Sequence, residues 1–139
     1  MQYTRWHLWR ASGGALVGTA AVSNTGTNST AIGTNALIAN YSGSYNTAVG
    51  SDALRSNTTA SNNTAVGYQA GYSNTASDNT FVGYVAGYAN TSGTENVIVG
   101  RSAGRFNTTG SANSALGFAA LYSTTTGSHN TAIRQPAPP

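Results

Sequence analysis

The chain has 139 residues, a length that fits one domain, and only 6% of them are charged: six Arg against three carboxylates, with no Lys and no Cys. Without Cys there is neither a disulfide framework nor a thiolate metal site. Without Lys there is no phosphate-cradling loop of the usual kind, and scattered Arg rather than a basic run argues against a nucleic-acid partner. Ordinary soluble domains carry about 25% charge. Disordered tracts are usually rich in charge and Pro, whereas here the apolar residues hold a strict period and Pro is confined to positions 136, 138 and 139.

Residues 1–14 lie outside that period. They carry Arg5, Arg10, His7 and two tryptophans, Trp6 and Trp9, ahead of the apolar stretch 15–22. A basic start before a short apolar run imitates a secretory signal. The run is Gly- and Ala-rich and already falls into repeat register around Gly18, so the segment reads as an N-terminal cap or attachment piece, with Trp6 and Trp9 as candidate assembly residues. No stretch reaches the roughly 20 consecutive apolar residues of a membrane-spanning helix, so no membrane span is expected.

From residue 15 to 133 the chain is built of copies of one unit, Asn63-Thr64-Ala65-Val66-Gly67-Tyr68-Gln69-Ala70-Gly71-Tyr72 being the clearest. Its marker glycine recurs as Gly33, Gly50, Gly67, Gly83, Gly100 and Gly117, at steps of 17, 17, 16, 17 and 17. Ala follows three residues after each marker, and a branched apolar residue precedes each. A further copy starts at Asn130-Thr131-Ala132-Ile133, and residues 134–139 form a Pro-rich tail. Such self-similarity marks a repeat architecture, in which each unit buries its apolar face against the next.

Gly, Asn, Thr and Val in every period disfavour helix. Short apolar runs between turn-forming residues favour strands, one over 63–66 and a second near 69–72, with 73–78 as a connecting turn. Stacked coils of this kind make an all-β, parallel β-solenoid or β-roll, about 4.8 Å per coil. Asn46, Asn63, Asn79, Asn96, Asn113 and Asn130 then superimpose as an amide ladder, and Val49, Val66, Val82 and Val99 are expected to form an interior stripe. Each coil supplies only a few modest apolar side chains, so a homotrimer that pools three thin interiors is the expected assembly.

The Asn-Thr-Ala-Val-Gly-x-x-Ala period with Ser-Asn-Thr linkers resembles repeats of bacteriophage tail-fibre and related bacterial surface proteins, many of which end in an endosialidase-type intramolecular chaperone. Residues 31–36, Ala-Ile-Gly-Thr-Asn-Ala, are more distantly similar to the head repeats of trimeric autotransporter adhesins, a left-handed parallel β-roll trimer with a shorter repeat. The resemblance covers residues 28–133 and brings no catalytic motif. It implies a non-enzymatic, extracellular, cell-surface or virion module, a fibre shaft or adhesin.

Catalysis needs an acid, base or nucleophile brought together. His7 and His129 stand near opposite ends, and Asp52, Asp78 and Glu95 read as non-equivalent positions on solvated turns. No cofactor or metal site is expected. Two columns offer a candidate binding surface instead: Tyr68, Tyr84, Arg101 and Phe118 one residue after the marker, and Tyr72, Tyr88, Arg105 and Tyr122 five after it. Aromatic residues interleaved with Arg can contact a cell-surface glycan or receptor, and they can equally cover coil edges. Two alternatives stand beside the adhesive reading. Open solenoid ends suit a filament subunit that stacks end to end. The hydroxyl column Thr30, Thr47, Thr64, Thr80 and Thr131, interrupted by Val97 and Ser114, suits an ice-binding solenoid.

Overall fold

The computed structural model describes residues 15–17 and 25–134. Eight short strands make one parallel sheet in strict chain order: β1 (Ala15–Val17), β2 (Thr30–Ile32), β3 (Thr47–Val49), β4 (Thr64–Val66), β5 (Thr80–Val82), β6 (Val97–Val99), β7 (Ser114–Gly117) and β8 (Thr131–Arg134). The expected β-solenoid is what the chain forms. Register is unbroken, with Thr47 opposite Thr64, Ala48 opposite Ala65 and Val49 opposite Val66, and the pairing of Val17 with Ile32 carries it back into the worn N-terminal copy.

The marker glycine after each strand has no room for a side chain. Gly83 has φ +133°, and a Cβ built on it would lie 2.6 Å from the Gly100 carbonyl oxygen of the next coil. After the turn the chain does not extend into the expected second strand. Residues two and four beyond the marker are left-handed in every coil, as at Gln69 (φ 52°) and Gly71 (φ 59°), or Asp52 (φ 57°) and Leu54 (φ 49°). Alternating left-handed residues crumple the segment, yet its backbone still bonds from coil to coil: Gln69 N–H donates to Ser51 O at 2.9 Å and Gly71 N–H to Ala86 O at 2.9 Å. The backbone is therefore satisfied between coils without extended strands.

The interior corrects one expectation. The Val column does not face inward: Val66 is 37% exposed and Leu116 52%, whereas the central residue of each strand is buried, Ala65 at 0%. Successive strand side chains point to opposite faces, so a one-residue difference in parity exchanges core and surface. Ala31, Ala48, Ala65, Phe81, Ile98 and Ala115 line the core, opposed by the buried Ala column three residues after each marker. Volume is shared within coils and between them: where Ala65 and Gly71 are both small, Phe81 and Leu54 of the adjoining coils fill the space. Small Ala31 and Ala48 go with Leu37 and Leu54 four residues past the marker, while large Phe81 and Ile98 go with Gly87 and Gly104.

Two asparagine columns close the remaining corners. Along the expected one, Asn63 N–H donates to Asn46 Oδ1, Asn79 N–H to Asn63 Oδ1 and Asn96 N–H to Asn79 Oδ1, each at 3.0 Å. The second column, Asn40, Asn57, Asn74, Asn90 and Asn107, is also buried. Asn57 Nδ2 donates to Asn40 Oδ1 at 2.9 Å and Asn107 Nδ2 to Asn90 Oδ1 at 3.1 Å.

Candidate functional site

The segment after each marker glycine carries the aromatic and Arg columns, and coil register stacks them. Tyr68 and Tyr84 lie ring on ring at 5.4 Å between centroids and 17° between planes. Tyr72 and Tyr88 do the same at 5.1 Å and 16°. Guanidinium groups extend both stacks: Arg101 lies 5.9 Å from the Tyr84 centroid and 5.5 Å from that of Phe118, and Arg55 lies 5.5 Å from Tyr72 while donating from Nη1 to its hydroxyl at 2.6 Å. Tyr122 meets Phe106 edge-on at 5.1 Å, and Arg105 covers Phe106 at 5.4 Å. All eight residues of the two columns are thus drawn into neighbouring stacks on one segment of the coil. The faces that Tyr72 and Tyr88 turn to each other are taken, and so is the face of Tyr72 beneath Arg55. A ligand meets these rings chiefly through their edges and hydroxyls. Phe106, six residues past its marker, is an exposed member that column counting at one and five missed.

The outward face of the strands is a second surface. It pairs the column Thr30, Thr47, Thr64, Thr80, Val97, Ser114 and Thr131 with the column Ile32, Val49, Val66, Val82, Val99, Leu116 and Ile133. None of these residues is charged. Toward the C-terminal end Val97, Val99, Leu116 and Ile133 border an apolar groove of about 380 Å³.

The carboxylates are arranged differently from the sequence expectation. Asp78 and Glu95 occupy the same position in successive coils, directly before the laddered Asn79 and Asn96, and both are left-handed (φ 65° and 59°). Asn62 precedes them in that column and donates from Nδ2 to Asp78 Oδ1 at 3.0 Å, and His129 stands in the same column further on. Asp52 lies elsewhere, held by Asn35 Nδ2 at 3.0 Å and by Arg55 Nε at 3.6 Å. Among the described residues no group of three or more His, Cys, Asp or Glu could hold a metal ion, and no helix is long and apolar enough to cross a membrane. Trp6, Trp9, His7 and the Pro-rich tail beyond Arg134 lie outside the described residues.

Comparison with protein-family models, curated proteins and solved structures gives no match.

Proposed function

We propose that the chain is a non-enzymatic shaft module of a fibre or adhesin, displayed outside the cell or on a virion, and that it works as a homotrimer. The observation that carries this reading is the uncharged face formed by the Thr and Val columns. It runs the length of the sheet, roughly 35 Å at strand spacing, and leaves branched apolar side chains open to water in coil after coil. Contiguous exposed apolar surface of this kind marks an interaction site. Every coil presents two uncharged side chains at the same two positions, the second always a branched apolar one, so a partner with the same repeat meets it in register along its whole length, and a second copy of this chain is such a partner. Association about a closed symmetry axis buries this face and leaves the aromatic and Arg columns, which sit on another segment of the coil, on the outside for contact with a receptor or glycan.

Light scattering on the purified chain tests the reading. Three copies per particle support it; a stable monomer at high concentration overturns the trimer, and open-ended growth replaces it with the filament.

Ice binding is the second reading, supported by one observation: the Thr hydroxyl column and an aliphatic column share a single uncharged, outward face of the sheet. It requires that face to be free, so thermal hysteresis in a monomeric sample separates it from the trimer.

A further inference from the structure

We infer that Arg101 and Arg105 form a receptor for the acidic group of a carboxylate- or sulfate-bearing polysaccharide. The inference rests on the reading of the chain as a surface module whose outer columns meet a ligand. Both guanidiniums come from one coil, four residues apart on the segment that follows Gly100. Aromatic rings lie beside each of them. Arg101 is placed against Tyr84 of the preceding coil and Phe118 of the following one, and Arg105 lies over Phe106. A guanidinium set over aromatic rings by cation–π attraction keeps N–H groups for other partners, and its planar fork can meet a carboxylate or sulfate with two parallel bonds.

Among the described residues none pairs an anion with Arg101 or Arg105; the ion pair is Arg55 with Asp52. Arg105 Nε is buried without a hydrogen-bond partner. Arg101 is exposed. The acidic residues Asp78 and Glu95 sit on the connecting turn between the two asparagine columns, a different segment of the coil. On the aromatic segment the described carboxylate is Asp52, which is paired with Arg55, so Arg101 and Arg105 are uncompensated there. Tyr84 of the preceding coil, whose ring lies beside Arg101, adds a neutral hydroxyl suited to sugar hydroxyls. A polymer fits this site better than a lone anion, because the columns continue for several coils on either side and offer ring edges to neighbouring sugars.

The test is affinity chromatography and calorimetry of the full chain against heparin, a sulfated polymer, alginate, a uronate polymer, and dextran, a neutral one. Binding to heparin or alginate, absent for dextran, is expected to weaken at least tenfold in Arg101→Gln/Arg105→Gln and to fall steeply with added salt. His129→Asn, on the connecting turn away from the aromatic segment, is expected to leave it unchanged. Arg101→Lys/Arg105→Lys keeps the charge without the planar fork and should recover only part of the loss. A melting temperature for each variant shows that the fold persists. Equal binding by the Gln double variant and the parent overturns the site. Binding to dextran as strong as to the acidic polymers overturns the acidic ligand and leaves the adhesive reading standing, and failure to bind any polysaccharide overturns the site and the glycan part of that reading together.

Discussion

The ring of Phe81 fills the space that a side chain on Gly87 would need: a Cβ built there would overlap the ring carbons Cδ1 and Cε1. The same ring reaches toward the preceding coil, where a Cβ on Gly71 would lie 2.6 Å from Cδ2. In the coil containing Ala48 the pairing is reversed, with Leu54 supplying the bulk. Phe81→Ala alone should cost about 3–5 kcal/mol through the cavity it leaves. Gly87→Leu alone should overpack the coil and cost about 1–3 kcal/mol. Together they rebuild the Ala–Leu pairing, and Leu54 shows that Leu accepts the left-handed backbone there (φ 49°). Denaturant unfolding of the four-member cycle should show the double variant more stable than Phe81→Ala; additive losses would mean that the two sites do not share volume.

Neighbouring residues on one strand should respond in opposite ways to the same substitution. Ala65→Asp buries a carboxylate in the core and should abolish folding, since unpaired buried charge costs several kcal/mol. Val66→Asp points outward and should leave a folded chain while breaking the proposed trimer into monomers. Circular dichroism with light scattering on both variants checks this. A Val66→Asp variant that remains trimeric would move the contact to another face.

The coil between Gly67 and Gly83 is one residue short, and the shortage falls in the turn Asn74–Asn79. In the coils with a full turn, Asn46 Nδ2 reaches Ala60 O at 2.8 Å and Asn96 Nδ2 reaches Gly110 O at 2.9 Å. At the short turn Asn74 Nδ2 bonds Ala76 O at 2.7 Å instead of continuing its column, and the buried Asn57 Oδ1 and Asn63 Nδ2 are left without partners. An unsatisfied buried polar group costs about 1–3 kcal/mol. Inserting one Gly after Ala76 should restore both columns and raise the melting temperature. The same insertion after Ser92, where the turn is already full, should lower it. A matching loss at both sites would show that the short turn is not strained for want of a residue.

Tyr72 and Tyr88 contribute to stability through their stacking, about 0.5–1.5 kcal/mol beyond the area they bury. The Tyr72→Ala/Tyr88→Ala variant should therefore melt measurably lower, and it also strips Arg55 of its bond to the Tyr72 hydroxyl. An unchanged melting temperature would leave the stack without a structural role.

Period, parallel stacking and the first asparagine column were legible because they depend only on spacing. Parity was not. A three-residue strand such as Thr64-Ala65-Val66 puts two apolar residues side by side, and hydrophobicity alone favours burying the larger. The signal that decides it is four residues beyond the marker, where Leu54 goes with Ala48 and Gly87 with Phe81, although Ala65 goes with Gly71 and is filled from the adjoining coils. The expected second strand failed because Gln69 and Leu54 take left-handed conformations that their side chains do not advertise. Of the site, the columns at one and five were legible from period, whereas the shared column of Asp78 and Glu95 needed the one-residue deletion to be placed in the turn 74–79 rather than elsewhere in the coil.

The asparagine columns also bear on how long the molecule lasts. Asparagine ages by attack of the following residue's backbone nitrogen on its own side-chain carbon, which yields a succinimide and then aspartate. At Asn46 that nitrogen belongs to Thr47 and is held by Asn63 O at 2.8 Å; at Asn63 it belongs to Thr64 and is held by Asn79 O at 2.9 Å; at Asn90 it belongs to Thr91 and is held by Thr108 O at 2.8 Å. The ring that begins the decay cannot close while the coils stay stacked. A chain this rich in Asn should resist deamidation for as long as it stays folded, and mass spectrometry after prolonged warm incubation should find far more damage in a denatured sample than in the folded one.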